Sequence, residues 1–256
     1  MSKKEVRQQE LLRIMEKQGI DSVKTLSSML NVSEMTIRRD LQAIKAKILT
    51  NPDIASVVPA NAEVDTSNYN LFQAMNLFNQ QKDEIGKFAA SLIVPNDVII
   101  IDTGTTTARM LPYIPEDKNL TILCFNANVL TELCHKQGIH LLFSGGVYHP
   151  NSELFESPEG IHFIQRTRAT KVFLSAAGVH QSLGITCENA YEIATKQAII
   201  NSSLERILVA DSSKFGKLCS AYYGDLSDIH TIVTDSNLSD EWRDYIVSLD
   251  ITLHLV

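Results

Sequence analysis

The decapeptide Val98-Ile-Ile-Ile-Asp-Thr-Gly-Thr-Thr-Thr107 joins an aliphatic run to a turn built from a carboxylate, a glycine and four threonines. The run Val98–Ile101 is strand-sized and far too short to span a bilayer. A strand that ends in Thr-Gly-Thr and opens a helix offers backbone N–H groups to an anion, and the threonine hydroxyls add further donors. Such a turn belongs either to an active site or to a site that senses a ligand. The rest of the chain has to decide between them.

Downstream, the pattern alternates. Strand-like NLTILCF precedes the helical NVLTELCHK, and IHLLFS precedes Gly145-Gly146. KVFLSAAG follows, and the helical NAYEIATKQAIINSSL leads into RILVAD. HTIVTD, SDEWRDYIVSL and ITLHLV close the chain in the same rhythm. Strands alternating with helices predict an α/β main domain around a largely parallel sheet. Ligands bind such sheets beyond the carboxyl ends of the strands. The residues expected there are Asp102, Thr103, Gly104, Thr105, Thr106 and Thr107 after one strand, and Asn126 after the next. Gly145 and Gly146 follow a third, Gly178 and His180 a fourth, and Asp211 and Lys214 a fifth. Lys214 would supply a countercharge to a phosphate, and Asp102 would accept from sugar hydroxyls.

The first 50 residues differ in charge from the rest. They carry ten Lys/Arg against six Asp/Glu, a net of +4, whereas the remainder carries thirteen against twenty-four, a net of -11. A basic head on an acidic body suggests that the head meets a polyanion. Its pattern agrees. EVRQQELLRIMEKQ is helical in period and stops at Gly19. VKTLSSML is a second short helix, Asn31-Val32 a turn, and Ser33 a cap for a third helix, EMTIRRDLQAIKAK. Three short helices with a tight turn before the last describe a helix-turn-helix. Ser33, Glu34 and Thr36 fall in the first turn of the third helix, where base edges are read, and Arg38 and Arg39 reach for phosphates or guanine.

Four scattered cysteines without a CxxC pair argue against a disulfide framework or zinc site, and no cofactor is expected. MSKKEVRQQELL has charges but no apolar core of a signal peptide, so the expected location is the cytoplasm, with no membrane partner.

The stretch LSSMLNVSEMTIRRDL resembles the DNA-binding signature of the DeoR family, bacterial repressors that respond to sugar metabolites. DTGTTT, the Gly-Gly after LLFS, and ADSSKFGK are similar to the motifs of that family's sensor domain, a relative of ribose-5-phosphate isomerase. The resemblance implies an N-terminal winged helix-turn-helix (residues 1–60), a linker (61–80) and a sugar-phosphate-sensing domain (81–256) of isomerase-like fold. It implies double-stranded operator DNA and a phosphorylated sugar as partners, and a homodimer or larger homo-oligomer. LSAAGVH, GITC and DSSKFGK point to the branch of the family that answers to deoxyribose-5-phosphate. The wing departs from the family: ILTNPDIASVVPANAEV lacks both the Gly-Gly and the arginine, so no wing contact to DNA is assigned.

The alternative is a sugar-phosphate isomerase with an accessory DNA-binding head. An isomerase needs a carboxylate to move a proton between neighbouring carbons. The related isomerases carry DGADE after the strand matching KVFLS, where this chain reads Ser175-Ala-Ala-Gly-Val-His180. A phosphate turn without its base fits a receptor better than an enzyme.

Overall fold

The computed structural model describes residues 79–256 continuously and, before them, residues 7, 11, 23–30, 32, 33, 36, 37 and 40. The chain divides into two compact units, 1–66 and 67–256. In the first, α1 (Val23–Leu30) places Leu26 inward and Met29 outward. Leu11 and Ile37 are fully buried like Leu26. The turn after α1 is held by the Ser27 hydroxyl, which donates to the Val32 carbonyl at 2.7 Å. Ser33 then accepts from the Thr36 amide at 3.2 Å, a side-chain cap on the backbone that becomes helical at Thr36 and Ile37. The Arg7 guanidinium pairs with the buried carboxylate of Asp40. Glu34, Arg38, Arg39 and the wing segment lie outside the described residues. So does the expected linker, except residues 79 and 80, which open α2 (Asn79–Ser91).

The second unit is organised by a seven-stranded sheet. Its strands are β1 (Val98–Ile101), β2 (Leu120–Cys124), β3 (Ile139–Phe143), β6 (Ala169–Leu174), β9 (Ser203–Val209), β11 (Thr231–Thr234) and β12 (Thr252–Leu255). Their order is β12-β11-β9-β6-β1-β2-β3, and every neighbouring pair is parallel. The chain builds outward from β1 to β3, then returns to the other side of β1 with β6. Ile100 packs into one buried cluster while Ile99 and Ile101 pack into the other, on the opposite face. Both faces of the strand are therefore apolar, which is why the sequence reads as an unbroken aliphatic run.

Helices cover the faces: α3 (Thr105–Ala108), α4 (Ala127–Leu133), α5 (Pro158–Arg166), α6 (Ile193–Asn201) and α7 (Asp240–Ser248) join α2. The helix that the threonine turn opens is short. α3 stops at Ala108, and a separate 3-10 turn spans Leu111–Tyr113, because Pro112 has no N–H to continue an α-helical ladder. Gly178–His180 is not a strand-end loop of the main sheet. It is strand β7, pairing antiparallel with β8 (Gly184–Cys187), which pairs in turn with β10 (Ala221–Gly224). A two-stranded hairpin, β4 (Val147–His149) and β5 (Leu154–Glu156), completes the unit. Among the described residues, no helix is long and apolar enough to cross a membrane.

Candidate functional site

β1 delivers Asp102 to the carboxyl edge of the sheet, next to the end of β6. The Asp102 side chain is fully buried and its oxygens are taken. Oδ1 accepts from the Thr103 amide at 2.8 Å, and Oδ2 from the Ser175 amide at 2.9 Å. Lys196 Nζ donates to the same Oδ2 at 2.5 Å. Asp102 was expected to accept from ligand hydroxyls. It sits instead beneath the turn, fully buried, with protein donors on both oxygens.

Lys196 comes from α6 and is equally buried. Burial pulls its pKa down, but Asp102 and Glu192 outweigh that, and the net shift is upward, so the ammonium stays charged. Glu192, one turn earlier on the chain, stands 3.9 Å from Nζ, and its Oε1 accepts from Asn189 at 2.7 Å. Burial raises the Glu192 pKa despite Lys196. The Tyr223 ring lies 5.0 Å from Nζ, and its hydroxyl donates to the Ser175 carbonyl at 2.7 Å. A cation this deep is tolerated because each of its neighbours supplies negative charge, a lone pair or a ring face.

Above this pair the turn divides its hydroxyls between two jobs. Thr103 Oγ1 donates to the Ser152 carbonyl at 2.8 Å, and Thr107 Oγ1 to the Asp102 carbonyl at 2.9 Å. Those two shape the turn. The Thr105 and Thr106 hydroxyls make no hydrogen bond to protein among the described residues and line a cleft of about 490 Å³, part of it open to solvent. The first intrahelical bond of α3 runs from Ala108 N to Gly104 O at 3.1 Å, so the amides before it have no partner within the helix. Gly104 is required by proximity: a Cβ there would stand 2.5 Å from Ser175 Cβ.

The other walls of the cleft are Ser152, Ser175, Ala176, Ala177, Cys187, Glu188, Glu192, Lys196 and Lys214. Lys214 ends a 3-10 turn, Ser212–Lys214, capped by Asp211, whose Oδ1 accepts from the Ser213 amide at 3.1 Å. Cys187 is a neutral thiol, pushed up to about 12 by burial. Behind the turn, on α2, Lys82 is buried. Burial lowers its pKa to about 8, against the pull of Asp211 and reinforced by Lys214, Arg109 and Lys217.

Of the residues expected at the site, Thr103, Gly104, Thr105, Thr106 and Lys214 line the cleft. Asp102 and Thr107 lie directly under it. Asn126 caps α4 and is fully buried, both amide atoms without a hydrogen bond among the described residues. Gly145 and Gly146 form the turn into the β4–β5 hairpin with φ of 66° and 126°. They are backbone devices, since a Cβ on Gly146 would meet the Glu156 backbone at 2.5 Å. Gly178 is packed against the Lys217 carbonyl, and His180 Nδ1 accepts from the Ser182 amide at 3.2 Å; neither reaches the cleft. Asp211 holds Lys214 in place without lining the cleft itself. Lys196 was missed. The available signal was its four-residue spacing from Glu192 in a helix otherwise rich in buried aliphatics. Among the described residues, no group of His, Cys, Asp and Glu is placed to hold a metal ion.

Comparison with known proteins adds two regions of similarity. Residues 7–50 match the DeoR-like helix-turn-helix domain, and residues 78–236 match the DeoR C terminal sensor domain. The deoxyribose operon repressor of Escherichia coli is 30% identical, over 95% of this chain and 95% of that protein. The HTH-type transcriptional regulator IolR of Bacillus subtilis is 28% identical over 98% of both chains. Among solved structures, ribose 5 phosphate isomerase A from Neisseria gonorrhoeae is similar with a TM-score of 0.37 and 14% identity, covering 56% of this chain and 54% of that one.

Proposed function

The chain belongs to the DeoR family, and from that premise we propose that it is a DNA-binding repressor of a sugar or nucleoside catabolic operon, released by a phosphorylated sugar. Deoxyribose-5-phosphate is the effector we put first, on the 30% identity to the deoxyribose operon repressor and the stretches LSAAGVH, GITC and DSSKFGK. The two relatives similar over nearly the whole chain, the deoxyribose operon repressor and IolR, are named as regulators, which favours this reading over the isomerase alternative.

The observation that carries the effector reading is the division of labour at the cleft. Thr105, Thr106, the turn amides and Lys214 are left for an anion, while the acid beneath them is neutralised by Lys196. Asp102, the acid of the turn itself, is fully buried with protein donors on both oxygens and is not placed to shuttle a proton. In this reading residues 1–60 dock on a palindromic operator as part of a cytoplasmic homodimer or larger assembly, residues 61–80 link, and 81–256 sense. Ser33, Glu34 and Thr36 read base edges, and Arg38 and Arg39 hold phosphates or guanine. The effector acts by favouring a state in which paired heads no longer fit the operator.

A thermal-shift screen across sugar phosphates, followed by a gel shift with the compound that stabilises most, tests the whole reading. We expect deoxyribose-5-phosphate to raise the melting temperature and to release DNA. Failure of every sugar phosphate to do either would refute the proposed effector class.

A further inference from the structure

Two charged side chains of the cleft, Glu188 and Lys214, enter no ion pair among the described residues. The other charges of the cleft wall are mutually satisfied. Asp102 and Lys196 pair at 2.5 Å, and Glu192 stands 3.9 Å from the same ammonium with an oxygen on Asn189. Ala176, Ala177 and the neutral Cys187 thiol complete that part of the wall, and the thiol is turned to the Ala221 carbonyl at 3.5 Å. Glu188 is thus left as a carboxylate facing the ligand space without a cation of its own. The Cys219 thiol feels both cleft charges: it is pushed up to about 11 by burial first and by Glu188 next, against the pull of Lys214.

We propose that Glu188 is a specificity residue of this cleft: it accepts a hydrogen bond from a sugar hydroxyl and excludes ligands that bring a second anionic group to it. The inference rests on the sugar-phosphate reading above. It narrows the effector class to sugars carrying one phosphate and an uncharged remainder, and rejects bisphosphates and phosphorylated sugar acids. An ionised carboxylate can only accept, so a hydroxyl satisfies it and a second carboxylate or phosphate cannot. Like charges brought together in a partly desolvated site are a standard means of refusing the wrong partner. The phosphate of a true effector avoids that conflict by lodging at Thr105, Thr106 and the turn amides, with Lys214 as countercharge.

The test compares affinities within each protein, by calorimetry on the full chain. The probes are deoxyribose-5-phosphate and ribose-5-phosphate against ribose-1,5-bisphosphate and 5-phosphoribonate. The unaltered protein should bind the doubly anionic pair at least about tenfold more weakly than the matching monophosphates. In Glu188→Gln, which keeps the shape and removes the charge, that ratio should shrink several-fold. Glu188→Asp, which keeps the charge, should preserve it. A general loss of folding would weaken all four probes together and leave the ratio unchanged in whatever protein remains active, so the unaltered protein and the Asp variant still decide. Equal or tighter binding of the bisphosphate by the unaltered protein would overturn the assignment, as would an unchanged ratio in a folded Gln variant. If no monophosphate binds the unaltered protein, the effector reading itself fails, which is a different result.

Discussion

Lys196 Nζ stands 2.5 Å from Asp102 Oδ2, and neither side chain reaches water. Breaking such a pair from one side strands the other charge. Lys196→Met should therefore destabilise the sensor unit by about 3–5 kcal/mol, and adding Asp102→Asn should recover a large part of the loss. Denaturant unfolding of the two single variants and the double variant measures this. Additive losses would mean that the two groups do not depend on each other.

The Gly104 site has no room for a methyl group, with Ser175 Cβ 2.5 Å and Ser175 Oγ 2.8 Å from where it would go. Gly104→Ala should displace the turn, cost about 1–3 kcal/mol, and lower the effector-dependent rise in melting temperature more than the apo stability alone explains. A normal ligand response in this variant would show that the turn does not hold the effector.

Effector binding and DNA binding should separate by mutation. Lys214→Ala should leave operator affinity intact and weaken the effector response roughly tenfold or more, as expected for loss of a charged contact to a phosphate. Arg38→Ala with Arg39→Ala should do the opposite, losing the operator while the thermal shift with effector persists. Gel shifts and thermal melts on the same preparations would reveal any crossover between the two.

Lys82 gives stability a pH dependence of definite sign. Its pKa is about 8 in the folded protein against an ordinary 10.5. Between those values the unfolded chain holds the extra proton, so the folded state gains as pH rises. Below pH 8 the buried ammonium carries its full cost, about 3 kcal/mol for a shift of that size. The stability of Lys82→Met relative to the unaltered protein should accordingly be greatest near neutrality and decline toward pH 10. Urea unfolding at several pH values distinguishes this from a constant difference, which would mean that Lys82 titrates normally.

Much of this architecture is readable in the sequence, for physical reasons that differ by element. β1 announces itself because both of its faces are buried, which leaves no polar position in Val98–Ile101. The Gly104–Thr107 turn is legible as the start of a helix, because glycine and threonine after a strand are common turn and cap residues, whereas the sequence does not show which of the threonines face the cleft. Asp102 was legible as special but not in its role, since sequence does not show that a lysine 94 positions away would occupy it. Lys196 is hard to see for a related reason. A lysine in a helix is ordinarily solvated, and α6 is covered on more than one side, with Thr195, Ala198, Ile199 and Ile200 buried around it. Gly178 and His180 follow the end of β6 in sequence, but by then the chain has already begun the small antiparallel sheet.

The strand order has a consequence for how this protein is made. β1, β2 and β3 form one side of the sheet, and most of the residues that complete the cleft arrive later, with β6, β8, α6 and the turn after β9. A chain still emerging from the ribosome at the end of β3 holds the threonine turn but neither Ser175 nor Lys196. Its Asp102 is then an acid with no counterion beside an apolar strand. The cleft therefore comes into being late in synthesis, and a product truncated before β6 would carry the N-terminal segment without a completed cleft.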